Sequence, residues 1–273
     1  MLSRELETAR QAARAAGAAA MEWYGRVEWD RAEGFSPVTA ADRAANTVII
    51  EALRSAFPDD AILSEESKDS AARLSADRVW IVDPLDGTKE FIAQNGEFAV
   101  MIGLAERGAA VLGVVYAPAT DTMYSAARGA GAWMKQGSGE PVRLTCPEGD
   151  PSALRMVGSR SHADELTERI REGLGCTDVQ PSGSVGIKCA LIATGQRDLY
   201  VHPVPYLKEW DTCAPEVVLR EAGGDVTDCA GDPLTYNKPV TAQLRGIMAC
   251  GPGLREPVLR VVSPLCAETL IST

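Results

Sequence analysis

Two aspartates three residues apart, Asp83 and Asp86, lie in VWIVDPLDGTKEF, residues 79–91, where an apolar run leads directly into Asp-Pro-Leu-Asp-Gly-Thr. Carboxylates delivered by a sharp turn at the end of a buried strand stand on a rigid frame, which is where chemistry is usually placed. Pro84 stiffens the turn, and Gly87 leaves room for the backbone amides of Gly87 and Thr88 to approach an anion. Hard oxygen donors at this spacing suit Mg2+, which takes a few carboxylates and completes its shell with water and substrate phosphate. The same residue types also form ordinary surface turns. What favours a site is the company: Glu65 and Glu66 follow the short apolar run 61–63, Asp211 follows Trp210 near the start of a helix, and Asp42 opens another. Each has a plainer job available. The glutamate pair suits a solvated loop, Asp211 a helix cap, and Asp42 a capping box with Thr39.

The elements that must position these groups are partly readable. Leu6, Ala9, Ala13, Ala16 and Ala20 step by three and four, which predicts a first helix capped by Ser3 and ended by Gly25. A second helix is predicted from Thr39 to just before Pro58, with Ala41, Ala45, Val48, Ile49 and Ala52 as its apolar face. Residues 61–63, 79–82, 98–104 and 111–116 read as strands. The stretch 137–152, GSGEPVRLTCPEGDPS, is dense in turn formers and marks the boundary between an N-terminal lobe, 1–145, and a C-terminal lobe, 146–273. Beyond it, 155–157 and 198–201 read as strands and 164–172, 184–193 and 210–221 as helices, the last closed by Gly223. The fold class is α/β or α+β in two lobes, with a sheet order that the pattern leaves open.

Length and composition bound the rest. The chain has 273 residues, 45% hydrophobic and 24% charged, as expected for a globular protein with a sizeable core. Lys and Arg total 27 against 38 Asp and Glu, a net charge of -11, which argues against nucleic acid or an anionic membrane as partner. A polyanionic substrate then needs local positive charge, which metal ions would supply. No run reaches the roughly 18 apolar residues of a membrane helix. Glu5 and Glu7 stand where a secretory signal wants only positive charge, so a cytoplasmic location is expected. The seven cysteines are odd in number and include no C-x-x-C, which predicts reduced, structural thiols.

Jointly, SPVTAAD (36–42), LSEES (63–67), WIVDPLDGT (80–88) and WDTCAPEVVLREAGG (210–224) resemble, in order and spacing, the motifs of the lithium-sensitive inositol monophosphatase superfamily, over most of the chain. Within it, Lys89-Glu90-Phe91 and the run WDTCAPE are similar to the 3'(2'),5'-bisphosphate nucleotidase branch, where inositol monophosphatases usually carry a Thr-Asn-Phe-type continuation. The resemblance implies a layered α-β-α-β-α sandwich, two or three Mg2+ per site, and removal of the 3'-phosphate from adenosine 3',5'-bisphosphate to leave AMP. It implies that Glu65, Asp83 and the Leu85 carbonyl hold one ion and that Asp83, Asp86 and Asp211 hold a second. Asp42 and Thr88 would relay a proton from the attacking water, which Glu65 helps to position. Paired divalent cations acidify water and neutralise charge on a transferring phosphoryl group, so no phospho-enzyme is expected.

Substrate contacts are implied for Asp86, Gly87, Thr88 and Asp211, and in the second lobe for Ser159, His162, Ser184 and Lys188. In PSGSVGIKC, Ser184 stands four residues before Lys188, which puts both on one helix face. Lys188 is the first choice for a 5'-phosphate lying away from the metals. Where some nucleotidases carry Arg, this chain has His202. The expected partner is a small phosphorylated substrate, a nucleotide bisphosphate, with the oligomeric state left open. Three other readings compete. An inositol or sugar monophosphatase is disfavoured by Lys89-Glu90-Phe91. A haloacid-dehalogenase type phosphatase spaces its aspartates two apart instead of three. A non-catalytic metal-binding protein would have been favoured by loss of Glu65, Asp83, Asp86, Thr88 or Asp211, and all are present.

Overall fold

The computed structural model describes residues 2–26, 40–161 and 164–271. Alanine sets the first contact. Ala9, Ala12, Ala13, Ala16 and Ala20 of α1 (Ser3–Met21) are buried, and their small side chains let it lie close against α2 (Ala40–Ala56), which adds Ala41, Ala45, Ile49 and Leu53 to the same core. Ser3 is the first helical residue and not the cap: Leu2 takes that place, its carbonyl accepting from Leu6 N while its side chain packs on the core. The helix stops at Met21, short of Gly25, and Thr39 lies outside the described residues.

A seven-stranded sheet follows in chain order: β1 (Ala61–Ser64), β2 (Arg78–Asp86), β3 (Ala99–Glu106), β4 (Ala109–Ala117), β5 (Thr122–Ala127), β6 (Ala132–Gln136) and β7 (Val142–Leu144). Only the β1–β2 pair is parallel. Between β2 and β3 sits the short α3 (Thr88–Ile92). β3 and β4 are buried almost throughout, as a sheet covered on both faces requires. The turn-rich stretch 137–152 therefore contains a strand, β7. After it the chain builds a second sheet in the order β11-β12-β10-β8-β9, from β8 (Arg155–Ser159), β9 (Asp178–Ser182), β10 (Leu199–His202), β11 (Asp225–Thr227) and β12 (Ile247–Cys250). Its helices are α4 (Glu165–Gly173), α5 (Val185–Ala193), α6 (Glu209–Glu221) and α7 (Arg255–Ile271).

Three cores stack these elements into five layers. α1 and α2 cover the first sheet through Trp80, Val100 and Val114. α5 and α6 lie between the sheets, where Cys189, Ile192, Val217 and Val218 join Ile81, Met101 and Val115 to Val157, Tyr200 and Ile247. α4 and α7 close the far face through Ile170, Val258 and Val262 over Met156, Val201 and Met248. The result is the α-β-α-β-α sandwich. All seven cysteines are free, and six are buried. Among the described residues no helix is long and apolar enough to cross a membrane.

The middle layer depends on a close approach. A Cβ added at Gly113, on β4, would collide with the Ala214 carbonyl of α6. Gly113→Val should therefore push α6 off the first sheet and cost about 1–3 kcal/mol, as overpacked cores do. Thermal unfolding checks this, and an unchanged Tm would refute the contact.

Candidate active site

β2 runs further than the apolar residues 79–82 suggested, because the Asp-Pro-Leu-Asp segment stays within the strand. Asp83 lies opposite Met101 and Asp86 opposite Ala99, so β2 takes three steps where β3 takes two. This is a β-bulge, not a turn beyond the strand end. Pro84 has no N–H to pair, Leu85 N donates to Asp83 Oδ1 at 3.0 Å, and the Leu85 side chain is buried in the α1–α2 core. In an unbroken strand, residues three apart face opposite sides. The extra residue brings both carboxylates to one side, where single oxygens of Asp83, Asp86 and Asp211 lie within 4.8 Å of one another.

Helices of the middle layer complete the cluster. α6 begins at Glu209, which makes Asp211 its third residue; Asp211 Oδ2 accepts from Lys208 N at 2.5 Å, so the side chain caps the helix while belonging to the cluster. Asp86 Oδ2 accepts from Ser184 Oγ at 2.6 Å and from Gly186 N at 3.2 Å, which ties the start of α5 to the bulge. One turn on, Lys188 is buried, with Nζ donating to Ser184 O at 3.1 Å and lying 5.1 Å from the Tyr200 ring centroid. Thr88 Oγ1 has two acceptors in reach, Leu85 O at 3.2 Å and Asp42 Oδ1 at 3.5 Å. Glu65 follows β1, its N donating to Val82 O at 3.1 Å. Asn46 of α2 holds that corner by accepting from Ser64 Oγ and donating to Ser67 Oγ.

A cleft of about 370 Å³ opens from this cluster and is lined by Glu65, Asp86, Gly87, Thr88, Ser159, Ser184, Lys188 and Asp211. His162 and residues 36–39 lie outside the described residues. Lys188, expected away from the acidic residues, is instead beside Asp86, because α5 starts at the bulge. Sequence reasoning missed Tyr206, Lys208 and Trp210 on the cleft wall and the buried Glu90. Lys208 and Trp210 lie just before Asp211, a proximity the sequence does show; Tyr206 carries no such signal.

The sequence profile of the inositol monophosphatase family matches residues 1–254. The chain belongs to that family. A Salmonella typhimurium (strain LT2) protein named 3'(2'),5'-bisphosphate nucleotidase CysQ is 45% identical over 236 residues, covering 85% of this chain and 93% of its own. A Mycobacterium bovis protein named 3'-phosphoadenosine 5'-phosphate phosphatase is 36% identical over 214 residues, 73% of this chain and 72% of its own. The crystal structure of CysQ from Bacteroides thetaiotaomicron, described as a bacterial member of the inositol monophosphatase family, aligns with a TM-score of 0.79 at 33% identity, covering 91% of this chain and 97% of that one.

In this inositol monophosphatase family chain the cluster is electrostatically unfinished. Desolvation of its carboxyl, then repulsion from Asp211 and Glu66, pushes Glu65 up to about 8, although the residue as a whole is exposed, so repulsion from the neighbouring acids is the firmer cause. Desolvation and Asp86 push Asp211 up to about 7, and burial with Glu65 holds Asp83 well above the usual carboxylate range. Asp86 is also raised by burial, in spite of Lys188 and the Ser184 and Gly186 bonds. Burial lowers the Lys188 ammonium, against the pull of Asp86. Clustered hard oxygens that hold protons for want of positive charge are the donor set of a divalent cation.

The pH dependence follows. Unfolded carboxylates release their protons near pH 4, whereas the folded cluster keeps some to about pH 8. The folded state thus binds more protons across that window, and stability without cation falls as pH rises through it. In chelator-treated protein, Tm should decline between about pH 5 and pH 8, and MgCl2 should raise it more at pH 8 than at pH 5. Equal Mg2+ shifts at both ends would contradict the shifted cluster.

Proposed function

We propose that the protein is a Mg2+-dependent 3'(2'),5'-bisphosphate nucleotidase that hydrolyses the 3'-phosphate of adenosine 3',5'-bisphosphate to AMP and phosphate. The observation that carries this reading is a single cleft joining the acidic cluster to Lys89, Lys188 and Lys208. That arrangement suits a substrate with a second anionic group beyond the reacting one. Relatives named bisphosphate nucleotidase, 44–45% identical over 85% of the chain, support the same substrate class.

Glu65, Asp83, Asp86, Asp211 and the Leu85 carbonyl would hold the ions. Bound Mg2+ supplies Lewis-acid charge that acidifies a water molecule and offsets charge on the phosphoryl oxygens. Thr88 Oγ1 accepts the water proton and passes its own to Asp42 Oδ1, across a contact of 3.5 Å that substrate binding would shorten. Glu65 orients the water. Ser159, Ser184 and Lys188 hold the substrate from the second-sheet side, with Lys188 placing positive charge next to Asp86.

Asp83→Asn should lower kcat by well over tenfold, about 1.4 kcal/mol of barrier, and abolish calorimetric Mg2+ binding. Its cation-free Tm should not fall, since the substitution removes a charge that burial penalises. Thr88→Ala should slow kcat by roughly 10²–10⁴ while Mg2+ affinity is retained. Lost affinity would make Thr88 structural. The substrate class is tested by phosphate release with Mg2+ from adenosine 3',5'-bisphosphate, inositol 1-phosphate and fructose 1,6-bisphosphate. A preference for either of the last two would replace this reading with a monophosphatase or sugar phosphatase.

A further inference from the structure

The residues that follow Thr88, KEFIAQNGEF (89–98), contain two glutamates whose side chains serve no part of the metal cluster. Both bond to the half of the molecule built on the second sheet. Glu90, only 5% exposed, accepts from Ser161 Oγ at 2.5 Å. Glu97 receives a two-point contact from Arg160, Nε to Oε2 at 2.7 Å and Nη2 to Oε1 at 2.6 Å, and also accepts from Gly183 N at 2.8 Å. Arg160 Nη2 donates as well to Pro181 O at 3.1 Å, and Arg160 N to Ser182 O at 3.1 Å. Gly183 packs so tightly here that a Cβ would collide with the Glu97 carbonyl and the Glu90 side chain. The two segments that bring Ser159 and Ser184 to the cleft are thereby fastened to the stretch immediately after Thr88.

We propose that Glu90, supported by Glu97, is a positioning residue for substrate selection, fixing through Ser161 the segment that presents Ser159 to the cleft, so that the second-sheet wall fits a nucleotide in preference to a small polyol phosphate. The choice of a nucleotide rests on the proposed function; the clamp itself does not. A buried carboxylate is a stringent fastener, because an acceptor left unmatched in a dry site is penalised and the segment is held to one pose.

The test combines a double-mutant cycle with amide hydrogen exchange on the full-length protein. Glu90→Asn and Ser161→Ala should each raise KM for adenosine 3',5'-bisphosphate about tenfold with kcat within about twofold, and together should do no more than either alone. KM for inositol 1-phosphate should stay within about twofold of wild type. Glu90→Gln, which keeps the reach and the acceptor, should restore the wild-type KM. Exchange in the peptide carrying Ser159 to Ser161 should rise in Glu90→Asn but not in Glu90→Gln, with Mg2+ affinity unchanged in both. Additive losses, a fall in kcat at constant KM, weakened Mg2+ binding or unaltered exchange would overturn the proposal. A wild-type preference for inositol 1-phosphate would overturn the nucleotide reading alone, since the exchange result decides the clamp without any substrate.

Discussion

Three buried or half-buried carboxylates, Asp83, Asp86 and Asp211, with the more exposed Glu65 beside them, are too crowded for all to stay ionised, and the surrounding structure is organised around holding them there. Asp83 is fully enclosed, and Asp211 and Asp86 are held by helix starts that supply backbone amides, a hydroxyl and the ammonium groups of Lys188 and Lys208. Such a cluster is costly for the protein alone and becomes favourable when cations arrive. It persists because each acid is anchored by something other than the cluster. Packing of Leu85 fixes the bulge, capping fixes Asp211, and Asn46 fixes the corner at Glu65.

The layering explains why these anchors meet. Two sheets alone would leave the bulge facing an open gap. The helices between them are pinned by one core that reaches both sheets, and their starts are delivered to the same point, α5 through Ser184 and α6 through Asp211. The close contact of Ala214 with Gly113 fixes how deep α6 sits, and with it where Asp211 arrives. Stability and chemistry are thus set by one packing distance.

Much of this was legible in the sequence, and the limits have physical causes. The acidic segments stood out because each follows an apolar run, and α5 and α6 read correctly because Ser184 and Gly223 punctuate them. The DPLD bulge could not be told from a turn: Pro and Asp signal both, and only the pairing with β3 separates them. β5 is built mostly of small and polar residues, β6 and β7 are short and partly exposed, β9 contains Pro181, and β11 and β12 are only three and four residues long, so none has a clear period. α7 is masked by Pro264 within it. The position of Lys188 was misjudged because its distance from Asp86 is a property of how the α5 layer meets β2, which no local pattern encodes.

The bulge also determines what kinds of genetic change this site can absorb. Its two aspartates face the same way because of a count of residues, not because of which side chains lie between them. An exchange at position 84 or 85 alters packing but leaves that count intact. Removal of a single codon there would restore an unbroken pleat in which the aspartates, then two apart, still share a face, but the bend between them, with the Leu85 carbonyl that accepts from Thr88, would be lost. Along this short stretch, substitution spares the backbone path of the site and a change in length does not.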